Sequence, residues 1–148
     1  FFGLSHDSAP HDYLRITGGS IGIGIPLAAG AAVACPDRKV VALQADGSGM
    51  FTVQGLWTQA RERLDIVTVV FANRSYAILE GEMRNVGVNH FGRNAERMLT
   101  LDDPALDWVS MARGMGVEAG RAETVEDFVR LFEGALRQRG PFLIEAVV

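Results

Sequence analysis

Cysteine is nearly absent from this chain, and other absences limit its function further. The 148 residues contain one cysteine, Cys35, which excludes an internal disulfide framework and predicts a reducing, cytoplasmic location. No apolar run reaches the roughly 20 residues that span a bilayer, so no membrane partner is expected. The 14 Lys and Arg against 18 Asp and Glu give a net charge of −4, which disfavours nucleic-acid binding because that requires a basic surface.

What is present is enough for one folded domain. Hydrophobic residues make up 48% of the chain, and the length suits a single core. The chain opens Phe1-Phe2-Gly3-Leu4, without Met and without a signal-peptide pattern. We therefore expect residues 1–17 to be a loop or linker from a preceding domain and residues 18–148 to form the domain. A processed, free-standing small protein remains the alternative.

Three short apolar runs rich in β-branched residues predict β-strands. They cover residues 40–45, 66–71 and 142–148, and a weaker fourth strand is expected near residues 116–119. Their apolarity is nearly continuous rather than alternating, which is typical of parallel strands covered on both faces.

Helices are expected between and around these strands. The predicted segments are residues 20–34, buried on nearly all sides, and residues 52–63, 104–115 and 124–139. In the last of these segments, Thr124 suits the N-cap of the helix, and Gly140-Pro141 suits its C-terminal end. The alternation predicts an α/β fold with a doubly wound, mostly parallel sheet and helices on both faces. Residues 80–103 lack strong periodicity and are expected to form a long functional or mobile connection.

Polar residues follow two of the predicted strands at the point where each strand ends. Asp46 closes the first strand, and Asn73, 27 positions later, closes the second. One strand–helix–strand unit separates them, so both side chains can reach the same edge of the sheet, where ligands of such sheets bind. One carboxylate with neutral oxygens suits Mg²⁺ shared with a diphosphate, and Gly47 and Ser48 offer backbone N–H groups to an anion. An ordinary turn with an Asx-type cap at Asn73 remains open as the alternative.

A second glycine-rich segment, Thr17-Gly18-Gly19-Ser20-Ile21-Gly22-Ile23-Gly24, precedes the first predicted helix. It does not fit a dinucleotide-binding fingerprint, because Leu27 stands at the third glycine position and no framing strand with a following acid is evident.

Together these segments resemble the diphosphate-binding (PP) domain of thiamine-diphosphate-dependent enzymes of the acetolactate synthase, benzoylformate decarboxylase and pyruvate decarboxylase superfamily. The resemblance covers nearly the whole chain from about Gly18. The family signature is Gly-Asp-Gly followed some two dozen residues later by Asn-Asn. Here it reads Ala45-Asp46-Gly47-Ser48 and Ala72-Asn73-Arg74-Ser75-Tyr76, so alanine replaces the first glycine and the first asparagine.

The resemblance implies a role for each matching residue. Asp46 and Asn73 would ligate Mg²⁺ through side-chain oxygens and Ser75 through its carbonyl. The diphosphate would contact Gly47 and Ser48. The remaining cofactor-binding residues that it implies are Gly19, whose carbonyl would accept a hydrogen bond from the cofactor's 4′-amino group, Ser20, Ile21 as the apolar wedge under the bent cofactor, Tyr76, Ala77 and Ile78. For Ile21, plain core packing is the alternative.

The same resemblance implies what is missing. In this family the catalytic Glu belongs to a separate pyrimidine-binding domain, usually of a partner subunit, and no segment here matches that domain. The chain's own Glu80, Glu82, Glu118 and Glu145 do not stand in its context. We therefore expect no catalytic residue in this chain, inactivity of the chain alone, and a homodimer or homotetramer when complete.

The substrate implied is a small-molecule 2-oxo acid, which the family decarboxylates or joins to a second carbonyl compound. Residues 76–83 are the candidate wall of the substrate pocket, with an ordinary packed helix as the alternative. The polar Glu80, Glu82 and Arg84 favour a small acid such as pyruvate, as in acetolactate synthase. An aromatic acid, as in benzoylformate decarboxylase, a non-catalytic cofactor-binding module and an unrelated phosphate binder remain alternatives. The histidines His6, His11 and His90 are expected in solvated loops, and Trp57 and Trp108 in the core.

Overall fold

The computed structural model of the protein describes residue 3 and residues 5–148, so residues 1, 2 and 4 of the predicted linker lie outside the described part. The β-strands are β1 (Val40–Ala45), β2 (Ile66–Ala72), β3 (Glu118–Ala122) and β4 (Phe142–Val147). The α-helices are α1 (Gly24–Ala34), α2 (Asp46–Gly49), α3 (Gly55–Arg61), α4 (Ala77–Asn85), α5 (Arg93–Leu99), α6 (Trp108–Gly114) and α7 (Val125–Arg137). A 3₁₀ turn at Met50–Thr52 joins α2 to the segment before α3.

The four described strands form one parallel sheet in the order β1-β2-β4-β3. Each of the three predicted apolar runs forms a strand, and the α/β class with a parallel sheet is confirmed. The fourth strand lies two residues later than residues 116–119, because Gly116 adopts a φ of +83° in a turn that ends before β3. Asp103-Pro104 is a cis peptide bond.

Helices cover both faces of the sheet, as predicted. On one face, α1, α3 and α6 pack on a core that includes the fully buried Ile25, Leu56 and Trp108. On the other face, α7 covers β2, β3 and β4 through Phe128, Leu131 and Phe132. None of the helices in the described part of the chain is long and apolar enough to cross a membrane.

One charged side chain is buried within the sheet. Glu145 on β4 is 1% exposed and accepts a hydrogen bond from Nε of Arg121 on β3 at 3.1 Å. This contact raises the pKa of Arg121 above its ordinary value. The pairing satisfies a carboxylate that would otherwise be costly to bury.

Strand β1 departs from the expectation that both faces of every strand are covered. Its Ala42 packs against α1, but Val41 and Leu43, which point to the other face, are 41% and 52% exposed. The neighbouring Phe71 of β2 is 39% exposed on the same face. Since α7 lies over the other strands, an apolar strip of the sheet remains open to solvent.

The first helix is shorter and less buried than predicted. Gly18, Gly19 and Gly22 have φ values of +63°, +66° and +83°, which are incompatible with a right-handed helix, so α1 begins at Gly24 rather than at residue 20. Only one side of α1 is buried, and Val33 on its other side is 65% exposed.

Residues 80–103 are more ordered than predicted. They contain most of α4 and all of α5, and the two helices contact each other. An i,i+4 pair between Glu80 and Arg84 supports α4. The buried Leu99 anchors the end of α5. Neither helix has a wide apolar stripe, so the hydrophobic periodicity of the sequence does not indicate them.

The boundaries of the remaining helices also shift inward. The segment predicted at residues 52–63 folds as α3, and the segment predicted at 104–115 folds as α6, where Asp107 caps the helix by accepting from the Ser110 N–H at 3.0 Å. The Thr124 cap of α7 is confirmed, since its hydroxyl accepts from the Asp127 N–H at 3.1 Å. Trp108 is fully buried as expected, but Trp57 is 53% exposed and lies beside Arg61.

Candidate cofactor site

A buried carboxylate marks the carboxyl end of β1. Asp46 is 2% exposed and is the first residue of α2. Its Oδ1 accepts from the Gly47 N–H at 2.7 Å, and its Oδ2 accepts from the Arg74 N–H at 2.7 Å. The register that pairs Ala45 with Phe71 brings the ends of β1 and β2 side by side. The Asp46 carboxylate therefore joins the two loops on which the sequence places the candidate ligands.

The loop after β2 is held in a bent conformation. Arg74 has a φ of +55°, in the left-handed region, and its guanidinium lies 3.3 Å from the Asp102 carboxylate. Asn73 is exposed, and its Oδ1 accepts from the Ser75 N–H at 3.2 Å. Ser75 forms an antiparallel bridge with Thr100. The amide oxygen of Asn73 and the backbone of Ser75 thus lie next to each other at the sheet edge.

The glycine-rich turn approaches the same edge from another side. The Gly22 N–H donates to Ser48 Oγ at 2.9 Å, and the Thr52 hydroxyl donates to the Gly22 carbonyl at 2.5 Å. A Cβ at Gly22 would lie 2.7 Å from Cβ of Phe51, so only glycine permits this approach. These contacts fix the turn of residues 17–22 against α2.

The three candidate residues in that turn are all solvent-accessible. Gly19 has a φ of +66°, and Gly19 and Ser20 are exposed. Ile21 is 58% exposed. Core packing, the alternative weighed for Ile21, is therefore wrong, and this apolar side chain is available to a ligand.

Tyr76 packs directly on the loop after β1. A Cβ at Gly47 would lie 2.4 Å from Cε1 of the Tyr76 ring, so the ring occupies the space that any other residue at position 47 would need. Ala77 and Ile78 begin α4 and are exposed, Ile78 to 76%. Helix α4 has no fully buried residue and contacts α5, so the side of the helix that carries Ile78 is open to solvent.

The donor set at this edge fits Mg²⁺ with a diphosphate. Asp46 is buried, yet the salt bridges of the described residues do not include it. Its two hydrogen bonds come from backbone N–H groups and leave further lone pairs on both oxygens. The described residues contain no cluster of three or more His, Cys, Asp or Glu that would form an all-protein metal cage. One carboxylate with nearby neutral oxygens leaves coordination positions for water and phosphate.

Other polar residues lie in different surroundings. Glu118 and the three histidines are exposed. A 390 Å³ depression is lined by Arg113, Glu118 and Phe142, at the amino ends of β3 and β4. Because the strands are parallel, that depression lies at the opposite edge of the sheet from Asp46.

Sequence reasoning missed several residues that support the site. They are Thr52 on the Gly22 carbonyl, Glu80 on the Ser75 hydroxyl, and Leu99 and Thr100 alongside the loop after β2. The contact of Glu80 could have been predicted from the sequence, because an acid in the first turn of a helix commonly contacts the preceding loop. The others come from segments whose proximity only the folded structure reveals.

A parallel α/β sheet with a buried acid and a glycine-rich turn at its carboxyl edge is typical of the class of α/β proteins that bind phosphate-containing cofactors. Within that class, residues 4–146 match the family described as "Thiamine pyrophosphate enzyme, C-terminal TPP binding domain". The chain therefore belongs to this family of thiamine-pyrophosphate-binding (thiamine-diphosphate-binding) domains, whose members include enzymes of 2-oxo acids.

Relatives with several activities share this domain. A Mycobacterium tuberculosis protein provisionally named acetolactate synthase large subunit IlvX is 49% identical over 93% of this chain and 27% of its own length. Benzoylformate decarboxylase of Pseudomonas aeruginosa is 34% identical over 92% of this chain and 24% of its own length. The solved structure of the thiamine diphosphate-dependent 4-hydroxybenzoylformate decarboxylase of Rhodococcus jostii RHA1 matches with a TM-score of 0.76 and 34% identity, covering 84% of this chain and 22% of that one. The chain thus spans about a quarter of the length of these relatives.

Proposed function

We propose that residues 18–148 form a domain that binds thiamine diphosphate in a Mg²⁺-dependent manner. The observation that carries the proposal is the buried Asp46 carboxylate, which holds two loops together through backbone N–H groups but lacks a cationic side-chain partner in the described structure. A buried carboxylate without a cation is costly. A divalent cation, bound together with a diphosphate, would supply the missing positive charge.

We assign each candidate residue a role in binding the metal or the diphosphate that agrees with its position. Asp46 and Asn73 would hold Mg²⁺ through side-chain oxygens, and Ser75 through its carbonyl. Gly47 and Ser48 would contact the diphosphate, and Tyr76 would keep the loop at Gly47 in place. The cofactor, when bound, supplies the electron sink that allows a bond beside the carbonyl of a 2-oxo acid to break.

The glycine-rich turn and the start of α4 would contact the rest of the cofactor. The Gly19 carbonyl would accept from the cofactor's 4′-amino group, beside Ser20. Ile21 would support the bend between the two rings with its exposed side chain. Ala77 and Ile78 would contact the cofactor next to the metal loop. The exposure of Ile21 and Ile78 supports this assignment, because both are apolar side chains without packing partners of their own in the core.

We further propose that the whole protein is a cytoplasmic enzyme in which this domain supplies only part of the active site. A pyrimidine-binding domain, in the same or a partner subunit, would provide the catalytic Glu, and the complete protein would be a homodimer or homotetramer. The chain's own Glu145 supports this division, because it is buried against Arg121 and turned away from solvent. The chain alone would then be inactive.

For the substrate, we propose a small 2-oxo acid such as pyruvate, as for an acetolactate synthase. Polar Glu80, Glu82 and Arg84 on α4 support this choice, because an aromatic acid needs large apolar walls. The alternative is an aromatic 2-oxo acid, as the names of two of the relatives indicate, and a non-catalytic cofactor-binding module is a second alternative. Turnover of pyruvate and of benzoylformate by the complete protein would distinguish the small-acid enzyme, the aromatic-acid enzyme and the non-catalytic module. The last should turn over neither acid.

A ligand panel tests the cofactor assignment. Thiamine diphosphate, thiamine monophosphate, ATP and NAD would be titrated into the chain in the presence of Mg²⁺, with binding followed by calorimetry. We expect thiamine diphosphate to bind at least about tenfold more tightly than thiamine monophosphate, because a diphosphate would offer Mg²⁺ more oxygen ligands. Equal or tighter binding of ATP or NAD would contradict the proposal and favour an unrelated phosphate-binding function.

A further inference from the structure

The candidate metal loop is connected to α4 by a side-chain hydrogen bond that the family signature does not include. The Ser75 hydroxyl donates to Oε1 of Glu80 at 2.7 Å, in a half-buried position. Nη2 of Arg84 donates to the other oxygen, Oε2, at 3.3 Å. The Arg84 guanidinium in turn lies 5.5 Å from the ring centroid of Phe91. We refer to the contact between Ser75 and Glu80 as the Ser75–Glu80 link.

The Ser75–Glu80 link differs from an ordinary helix cap. In a cap, a side-chain oxygen accepts from a free backbone N–H of the first turn. The N-cap residue of α4 is Tyr76, and it makes no side-chain cap. In the link, the hydroxyl is the donor and a carboxylate is the acceptor. The bond therefore satisfies no backbone N–H of the helix and instead holds the side chain of Ser75.

Backbone hydrogen bonds hold the opposite side of the same residue. The Tyr76 N–H donates to the Leu99 carbonyl at 2.8 Å, and the Leu101 N–H donates to the Arg74 carbonyl at 2.8 Å. Ser75 is thus held between the segment after α5 on one side and Glu80 on the other. The Ser75 N–H also donates to Asn73 Oδ1. The side-chain contact with Glu80 adds to these backbone bonds in holding the Ser75 carbonyl in one direction.

We propose that Glu80 is a positioning residue that aims the Ser75 carbonyl at the metal site, so that the affinity of the chain for Mg²⁺ depends on the Ser75–Glu80 link. This inference rests on the proposed function, because it concerns the same metal. Glu80 itself lies one helical turn into α4 and acts through Ser75. Hydrogen bonds to a charged acceptor are stronger than neutral ones, so a single link of this kind can hold one carbonyl.

A double-mutant cycle tests the proposal. The apparent Mg²⁺ affinity would be measured at fixed thiamine diphosphate for Glu80→Ala, Ser75→Ala and the double variant, with Glu80→Gln as the conservative variant. Ser75→Ala keeps the backbone carbonyl that would ligate the metal. We expect each single alanine variant to weaken Mg²⁺ binding about tenfold and the double variant to be no weaker than either. Glu80→Gln should weaken binding less than Glu80→Ala, because its amide oxygen still accepts the bond but without the charge.

Two controls separate positioning from a general effect on folding. Glu126→Ala removes an exposed acid from the first turn of another helix, α7, and it should leave Mg²⁺ affinity unchanged. Thermal unfolding would be measured for every variant. A lower unfolding temperature with unchanged Mg²⁺ affinity would show that Glu80 only stabilises α4 and would overturn the proposal.

Other outcomes also decide the question. Additive losses in the double variant would overturn the proposal, and so would a Glu80→Gln variant as weak as Glu80→Ala, because the charge and not the bond would then matter. If the unmodified chain shows no Mg²⁺-dependent binding, the proposed function fails and this inference fails with it. If the unmodified chain binds and Glu80→Ala binds equally well, this inference alone fails.

Discussion

At the scale of single residues, the close contact between Gly47 and Tyr76 determines how the candidate site is built. A Cβ at position 47 would lie 2.4 Å from Cε1 of Tyr76 and 3.1 Å from Cδ1 of Leu101. Hydrogen bonds to Asp46 and to Leu99 hold the two loops from either side. The Tyr76 ring therefore has little freedom to move away from an added methyl group.

We expect Gly47→Ala to destabilise the chain by about 1–3 kcal/mol, as overpacking usually does, and to weaken thiamine diphosphate binding. Gly81→Ala is the matched control, because a Cβ at Gly81 would meet nothing within 4 Å in the middle of α4. That change should stabilise the helix by about 0.5–1 kcal/mol. Urea unfolding measures both, and a Gly47→Ala variant as stable as the unmodified chain would show that the loop is free to adjust.

The residues of the site differ in how far the sequence predicts them. The 27-residue spacing placed Asp46 and Asn73 at neighbouring strand ends, because a strand–helix–strand unit returns the chain to the same edge. The register of β1 with β2 has that geometry. Glu80 and Thr100 were missed as contacts of Ser75, since α4 and α5, which Thr100 follows, have no wide apolar stripe. The roles of these residues toward a cofactor remain predictions.

At the scale of the elements, strands were more predictable than helices. Strands β1, β2 and β4 are nearly continuous apolar runs, and their positions in the structure agree closely with prediction. The start of α1 was misplaced because left-handed glycines do not show in an apolar pattern. Helix α5 was missed because Leu99 alone is buried in it. Tertiary contacts, rather than periodicity, define these two elements.

The best-defined helix end is the N-terminus of α7. The Thr124 hydroxyl accepts from the Asp127 N–H at 3.1 Å, and the helix packs on the sheet through Phe128 and Phe132. We expect Thr124→Ala to lower the free energy of unfolding by about 1 kcal/mol. Thr124→Ser keeps the hydroxyl and should cost much less. Equal losses in the two variants, measured by thermal unfolding, would exclude the cap as the cause.

At the scale of the whole molecule, the sheet is covered unevenly. The face of β1 that carries Val41 and Leu43 is open, together with Phe71 of β2. Parallel sheets are normally covered on both faces, and this chain spans about a quarter of the length of its relatives. The open strip is therefore a part of the sheet whose apolar side chains are left in water.

The same substitution at two leucines on different strands tests whether the sheet is covered unevenly. Leu143 on β4 is fully buried, and Leu143→Ala should destabilise the chain by about 2–5 kcal/mol. Leu43 on β1 is 52% exposed, and Leu43→Ala should cost less than about 1 kcal/mol while reducing aggregation. Urea unfolding at several protein concentrations provides the comparison. Equal losses for the two variants would mean that the β1 face is covered in solution.

The central claim, that Asp46 holds a Mg²⁺-bound diphosphate at the carboxyl edge of the sheet, is tested most directly by calorimetric titration with thiamine diphosphate. The titration would be run with Mg²⁺, with EDTA, and with the Asp46→Ala variant in Mg²⁺. We predict binding that requires Mg²⁺ and is abolished by the substitution, with thermal unfolding confirming that the variant is folded. Binding that survives both EDTA and Asp46→Ala would contradict the assignment of the metal site.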